Sequence, residues 1–598
     1  MDSIYRYGSL VQANESPNQP QPENADTFDS NSKKEDPEAN NSVKKSDESL
    51  NFLFHISDID TSDTIGQEKW LKQFIKKRMG MFEKMSSTEF EVQVKKICNC
   101  CLKHIKDLHE LHLKRSAAIA MINDVITRAD VAYIKTHHVV HLVWSVMSCI
   151  HHFQLRFRSG TKSLIAWTRK KKAAECMNTY RRLINVLPKA TYRIVLNSLI
   201  IFYKEGKLWT IEFRLTEMIC ELLYLYSDIE EALEDILTTA EQASLTSDVE
   251  PRMLIKVLYE TLGVIKWSHM SDAMIKRFLV MLRKSIAPKP EHVFRYGPMR
   301  MGLNICLRNI TKNLSNTDLM SLLVIIVKKI TFREMEDDAL LEFGSIGEYA
   351  ALRYHTQRLS ESIPEELMET IMTMMLSENP YHHMFGYRII QNITDRHYNR
   401  LEFENPRIFF RGVNYNIRVA KYSARDRQYY KKHRLNIYRI LIAGLKHHYN
   451  RKINLENMYT YLAITCVEIP CSYVASSIVS FAMAMQEFVL QAHLTNMVAC
   501  HHVHSIVMAL MSLVCYVHKA EVFYNYVALI MERRSEWAPH LNPPIKVVYS
   551  YAQHHILWNK PDLFFEDWEA RYGLWKCFRT VSKKTNKIYY TKPGKVAI

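Results

Sequence analysis

ARDRQYYKKHRLNIYRIL, residues 424–441, crowds six basic side chains and three tyrosines into eighteen positions. On a wheel of about 100° per residue, Tyr429, Tyr430, His433, Ile437, Ile440, Leu441 and Gly444 share an arc of about 120°. Arg425, Arg427, Lys431, Lys432, Arg434 and Arg439 all fall outside that arc, and Tyr438 falls with them. Asp426 stands near the start, where a carboxylate is expected to cap the first turn. The division predicts an amphipathic helix, with one side dry in a core and a cationic side in solvent. A cationic face of this kind is also one that helical-repeat arrays present to acidic partners.

The same periodicity extends outward. WLKQFIKKRMGMFEKM (70–85), VQVKKICNCCLKHIKDLHELHLKR (92–115) and EPRMLIKVLYETLGVIKW (250–267) carry apolar residues three and four apart, as surface helices do. Short breaks separate such segments: Pro188-Lys189, the Pro-Lys-Pro of 288–290, Ser-Glu-Asn-Pro at 377–380, and Asn542-Pro543. Proline removes a donor and disfavours helix in the residue before it. With only 15 glycines in 598 residues, turns are too few for an all-β chain. Paired helices of about 12–20 residues are the mark of HEAT and armadillo units. The expected fold is therefore all-α, an armadillo/HEAT-like helical-repeat solenoid whose repeats are degenerate.

Residues 1–50 are polar and almost lack large aliphatics, so they are expected to form a disordered tail, with 51–68 as a linker. Repeats are expected over 69–545, followed by a C-terminal helical extension and basic tail over 546–598. The net charge is +16; the acidic first fifty residues leave a body of +21, which suits an acidic partner, an anionic lipid surface or nucleic acid. Twelve scattered cysteines without a secretory signal suit a reducing, cytosolic setting. Asp2 follows Met1, which excludes the N-myristoylation motif. The longest apolar runs, such as IVMALMSLVCYV at 506–517, have the length of buried helices rather than of a bilayer span.

The chemistry of an enzyme is hard to place on this chain. No two glycines are four apart, so no G-x-S-x-G elbow exists; in FGSIGEY (343–349) Phe343 occupies the glycine position and Ser345 is discounted. GPMRMG (297–302) has phosphate-loop spacing, but Leu303 and Asn304 follow it in place of lysine and a hydroxyl. Cys98 and Cys101, with His104, His109 and His112, lack zinc-finger spacing. CHHVH (500–504) lies in an apolar helix and reads as core and rim histidines. No catalytic residue, metal or cofactor is expected.

LRFRSGTKSLIAWTRKKKAAE (155–175) is the most cationic segment, with Arg156, Arg158, Lys162, Arg169, Lys170, Lys171 and Lys172 between apolar residues. As a patch it suits an anionic membrane surface, at about 1 kcal/mol per basic residue; as a solvated helix end it needs no partner. Nucleic acid is not expected, because the basic residues lack a stacked aromatic ladder or a groove-reading motif.

TDRHYNRLEF (394–403) followed by KYSARDRQYYKKHRLNIYRIL (421–441) resembles a paired signature of the rolling blackout family, also called Efr-three or Stambha A. Asp395, Arg396, His397, Asn399 and Arg400 match the first motif, with Tyr398 where that family has glycine; Lys431, Lys432 and His433 match the second. YVALIMERRSEWAPHLNPP (526–544) and the cationic segment above resemble further patches, so the resemblance covers about residues 150–545 in pieces. It implies a non-enzymatic scaffold that holds the phosphatidylinositol 4-kinase III alpha complex at the cytoplasmic face of the plasma membrane, partly cytosolic, and supports phosphoinositide synthesis. It also implies a tetratricopeptide-type adaptor as partner. The family's acylated cysteines lie at its N-terminus. Here the first cysteine is Cys98, so Cys98, Cys100 and Cys101, near Lys95, Lys96 and Lys103, are the candidates for lipidation. The alternative is a soluble helical-repeat adaptor without a membrane role.

Overall fold

The computed structural model describes residues 69, 71–73, 76 and 80–584, apart from 103–107, 130, 155–163, 206–214, 227, 287–289, 333–334, 492–495 and 545–559. The chain divides into two units, Met1–Trp70 and Leu71–Ile598, and everything below concerns the second. The expected tail and linker of 1–68 lie outside the described residues.

Among the described residues there are helices and no strands. The first part runs α1 (Ser87–Leu102), α2 (Leu108–Arg128), α3 (Thr136–Gln154), α4 (Leu164–Val186), α5 (Tyr192–Glu205), α6 (Leu215–Leu223), α7 (Ile229–Ala243) and α8 (Val249–Val264). The middle holds α9 (Asp272–Ile286), α10 (Pro290–Tyr296), α11 (Arg300–Asn313), α12 (Asn316–Phe332), α13 (Asp337–Arg353), α14 (Leu359–Ser362), α15 (Glu365–Leu376) and α16 (Pro380–Thr394). The last part holds α17 (Ala424–His448), α18 (Lys452–Glu468), α19 (Ser472–Gln491), α20 (Met497–His518), α21 (Glu521–Trp537) and α22 (Asp567–Lys584). The segment 92–115, expected as one helix, holds the end of α1 and the start of α2, and those two helices pack against each other. The break at 377–380 acts as expected. Pro380 opens α16 at its first turn, and Asn379 caps it by accepting from the amides of Tyr381 and His382.

From α8 onward the helices form two rows. One row stacks α8, α11, α13, α16, α18 and α20 in order; the other stacks α9, α12, α15, α17, α19 and α22. One apolar core of the described residues runs from Phe82 to Cys577, through α1–α7 and on between the two rows. This is the solenoid expected, because each unit buries its apolar stripe only against its neighbours. Ion pairs between successive units reveal the repeat length. Arg181 reaches Glu221, Arg193 reaches Asp235, Arg277 reaches Glu234, Arg300 reaches Glu342 and Arg388 reaches Glu348, at separations of 40 to 43 residues. A period near forty is that of HEAT and armadillo units.

Beyond residue 395 the separation jumps. Lys432 pairs with Glu365 across 67 residues, and His448 meets the Ser377 carbonyl across 71. The inserted length is the largely non-helical segment between α16 and α17, a strap laid along the solenoid. Phe403 and Phe409 on it are fully buried. The Phe409 amide donates to Ser512 Oγ (3.1 Å) and the Ala420 amide to the Val467 carbonyl (2.9 Å). Tyr415 packs edge-on to Phe409 and to Tyr516 of α20. The strap explains why α18 is buried almost all round from Asn454 to Glu468: a helix covered on every side has no polar face to show.

Two helices among the described residues, α19 and α20, are long and apolar enough to cross a membrane, contrary to the expectation from uninterrupted apolar runs. They pack against each other inside the array, and α20 is mostly buried there, the setting of a core helix. Arg534 of α21, fully buried, fastens this end by donating to the carbonyls of Leu563 (2.7 Å), Leu541 (3.1 Å) and His504 (3.3 Å).

Truncating the anchor of the strap tests this packing. Phe409→Ala should cost about 3–5 kcal/mol and expose 404–423 to limited proteolysis that leaves the wild-type strap intact; equal resistance in both proteins would mean the strap is not held by its buried ring.

Candidate functional site

The residues quoted as a signature assemble at the two ends of the strap. Asp395 ends α16 and folds the chain back on itself, its carboxylate accepting from the amides of Asn399 (2.8 Å) and Arg400 (2.7 Å). Arg396 then reaches both neighbours: Nη1 donates to Asp426 at the start of α17 (2.8 Å), Nε to the Glu468 carboxylate (2.9 Å) and Nη2 to the Glu468 carbonyl at the end of α18 (2.8 Å). The His397 amide (3.1 Å) and Nδ1 (2.9 Å) also meet Glu468. The side chains of Asp426 and Glu468 are 1% and 0% exposed, so the clamp is desolvated. Burial pushes the Glu468 carboxyl upward, while His397 and Arg396 hold it back. Asn399 staples the strap to itself, donating to the Arg418 carbonyl (2.9 Å) and accepting from the Arg418 amide (2.8 Å). Arg400 turns the other way, to Asn392 (3.0 Å) and Glu348 (2.7 Å).

Two details correct the sequence reading. Asp426 does not cap its own helix: Ser423 does, accepting from the Asp426 amide, and the Asp426 carboxylate serves Arg396 and the Leu359 amide. Tyr398, where the signature has glycine, has φ 59° with its ring exposed. A left-handed residue explains the glycine, and the tyrosine carries about 1 kcal/mol of local strain.

The cationic side of α17 is where the wheel put it. Tyr430, His433, Ile437, Ile440, Leu441 and Gly444 are buried, while Arg425, Lys431, Lys432 and Arg439 are exposed. Part of that charge is spent locally: Arg425 pairs with Glu361 (2.7 Å), Lys432 with Glu365 (2.6 Å), and Arg434 lies 5.1 Å over the Tyr473 ring.

The second cationic segment is only partly described. Arg156, Arg158 and Lys162 lie outside the described residues; Arg169 and Lys170 belong to α4, and Lys171 is exposed. Lys172 leaves the patch. Its Nζ turns inward to Ser116 Oγ (2.7 Å) and His112 Nε2 (3.0 Å) on α2, because four successive helical residues cannot share one face. The candidate lipidation residues fare similarly. Cys98 is 8% exposed and Cys101 not at all, with Cys101 Sγ 3.7 Å from Cys149 Sγ; Cys100 lies outside the described side chains. Burial lifts the Cys98 thiol to about 11. Acylation needs an accessible thiolate, so Cys98 and Cys101 are withdrawn as acceptors.

Ser345 sits within α13, donating to the Glu342 carbonyl and accepting from Arg308, in a regular helix without an elbow. His501, His504 and His540 collect near Arg534 in the core, with the His501 and His540 rings 4.5 Å apart. Burial, then neighbouring charge, lowers His501 and His540 to about 4. Sequence reasoning did not find Glu468, although a lone carboxylate in the apolar run YLAITCVEIPC was its signal.

Two rows of short helices bound by charged clamps define a helical-repeat protein of the armadillo class. The family model described as EFR3, armadillo repeat, matches residues 83–562, and the chain belongs to that family. It is 24% identical over 194 residues to protein EFR3 homolog A of Xenopus laevis, 32% of this chain and 24% of that protein. Against human EFR3 homolog A the identity is 23% over 192 residues, and against human EFR3 homolog B it is 21% over 192, each 32% of this chain and 23% of the relative. The alignable part thus spans about a quarter of each relative's length. Among solved structures, karyopherin Kap121p bound to RanGTP matches with TM-score 0.30 and 11% identity, over 89% of this chain and 53% of that one. Kap121p bound to Pho4p gives 0.29 and 10%, over 91% and 54%. At such scores the likeness carries no functional reading.

Removing Arg396 leaves the buried carboxylates of Asp426 and Glu468 without their guanidinium, so Arg396→Ala should destabilise by about 3–5 kcal/mol in urea unfolding; a loss below about 1 kcal/mol would mean that the clamp is a solvated pair. The core histidines set an acid limit. Their folded pKa values near 4 lie below the ordinary 6.5, so the unfolded chain binds more protons as pH falls. Stability should be complete above pH 6.5 and decline toward pH 4, and His501→Gln with His540→Gln should make the fall in melting temperature over that range shallower.

Proposed function

We propose that this chain is a non-enzymatic scaffold that holds a phosphatidylinositol 4-kinase III alpha complex at the cytoplasmic face of the plasma membrane, through a tetratricopeptide-type adaptor. The observation that carries this reading is family membership across residues 83–562, which includes the strap and its clamp. The physical setting supports it. A two-row array offers long surfaces at fixed spacing, suited to docking large partners. The body's charge of +21 suits an anionic bilayer, and Arg169, Lys170 and Lys171 with Arg156, Arg158 and Lys162 form the proposed membrane contact.

A second reading, a soluble helical-repeat adaptor, is favoured by one observation: Cys98 and Cys101 are buried and unsuited to acylation. A basic patch alone is one membrane signal, and stable anchoring usually takes two.

Localisation and capture separate the two. A fluorescently tagged full chain in living cells should sit at the cortex, and Arg169→Glu, Lys170→Glu and Lys171→Glu together should release it. Affinity capture should recover the lipid kinase with its adaptor. Diffuse wild-type signal, and capture without the kinase complex, would contradict the anchor and favour the soluble adaptor.

A further inference from the structure

A second cluster lies far from the strap, where the start of α3 meets α1. Glu91, near the start of α1, and His137 and His138, in the first turn of α3, each bring one ligand atom within 4.8 Å of the others. That spacing suits three groups around one cation. The exposures are graded: His138 is 1% exposed, Glu91 half-buried and His137 exposed, so the cluster opens to solvent on one side.

His138 points to a ligand independently. Its Nδ1 lies 3.1 Å from the Tyr133 carbonyl and 3.2 Å from the Lys135 amide, which also donates to that carbonyl. In the tautomer whose Nδ1–H donates to that carbonyl, the lone pair falls on Nε2, and Nε2 is buried with no hydrogen-bond partner. A backbone carbonyl behind one imidazole nitrogen and a vacant lone pair on the other is how metal-binding histidines are oriented. Glu91 carries one competing contact, a Lys95 ammonium 2.9 Å from Oε1.

We propose that Glu91, His137 and His138 bind a divalent transition metal, zinc by preference. Two imidazoles and a carboxylate are borderline ligands that favour zinc over calcium or magnesium, and three protein ligands leave a fourth position for water. The site joins α1 to α3 at the N-terminal end of the array, and it does not depend on the scaffold reading.

The test is calorimetric titration of the metal-stripped full chain with zinc chloride at pH 7, with thermal melting in parallel. Wild-type protein should bind one zinc ion more tightly than its scattered surface histidines do, and should melt at a higher temperature when loaded. Glu91→Gln and His137→Gln change side chains at the solvent edge and should leave the circular dichroism unchanged. Each should weaken that event by about tenfold or more. Lys95→Met frees the carboxylate and should tighten it, an effect that a purely structural role for Glu91 would not give. Equal zinc affinity in wild type, Glu91→Gln and His137→Gln would overturn the proposal, as would a Lys95→Met variant that binds no tighter.

Discussion

Arg396 is the contact on which the C-terminal half depends. One guanidinium holds the end of α16, the start of α17 and the end of α18, reaching 30 residues along the chain to Asp426 and 72 to Glu468. A strap of irregular chain would ordinarily lie on the surface and move. Here both of its ends are fixed by the same desolvated charge cluster, and its middle is pinned by Phe409. The two signature patches are therefore one structural device. The first supplies the arginine and the turn; the second supplies the aspartate and the helix that the strap must reach. A buried cluster of this kind contributes little net stability when intact and costs heavily when broken, so its value lies in fixing one arrangement of the strap among many.

Much of the array can be read from side-chain spacing. The wheel of residues 424–441 separates its apolar arc from the exposed cations correctly because α17 has one covered side. α18 defeats that approach. It is apolar nearly all round, and the covering element is a strap with no helical period to betray it. Asp426 misled for a related reason. Local chemistry favours a capping role, but Ser423 fills that role and a distant arginine claims the carboxylate. Lys172 looks like its basic neighbours in sequence, and only the position of α2 turns it inward. Glu91 and the paired histidines of α3 were invisible for the simplest reason: more than forty residues separate groups that the fold brings together.

Several polar groups inside this protein hold its elements together. Glu468 answers Arg396 and His397, Glu241 is held at about 2 despite its burial by Tyr296, Arg277 and Lys284, and Arg534 donates to three carbonyls. These contacts tie one unit to the next. A chain built this way keeps long faces at fixed distances, which is the physical requirement for holding other molecules in place.

Amide hydrogen exchange across the strap of the intact chain tests the central claim most directly. If the Arg396 clamp holds the strap down, the amides of Phe409, Arg418 and Ala420, which donate to Ser512, Asn399 and Val467, should exchange as slowly as those of α18. Arg396→Ala should release them together. Exchange at open-chain rates in the wild type would contradict the account.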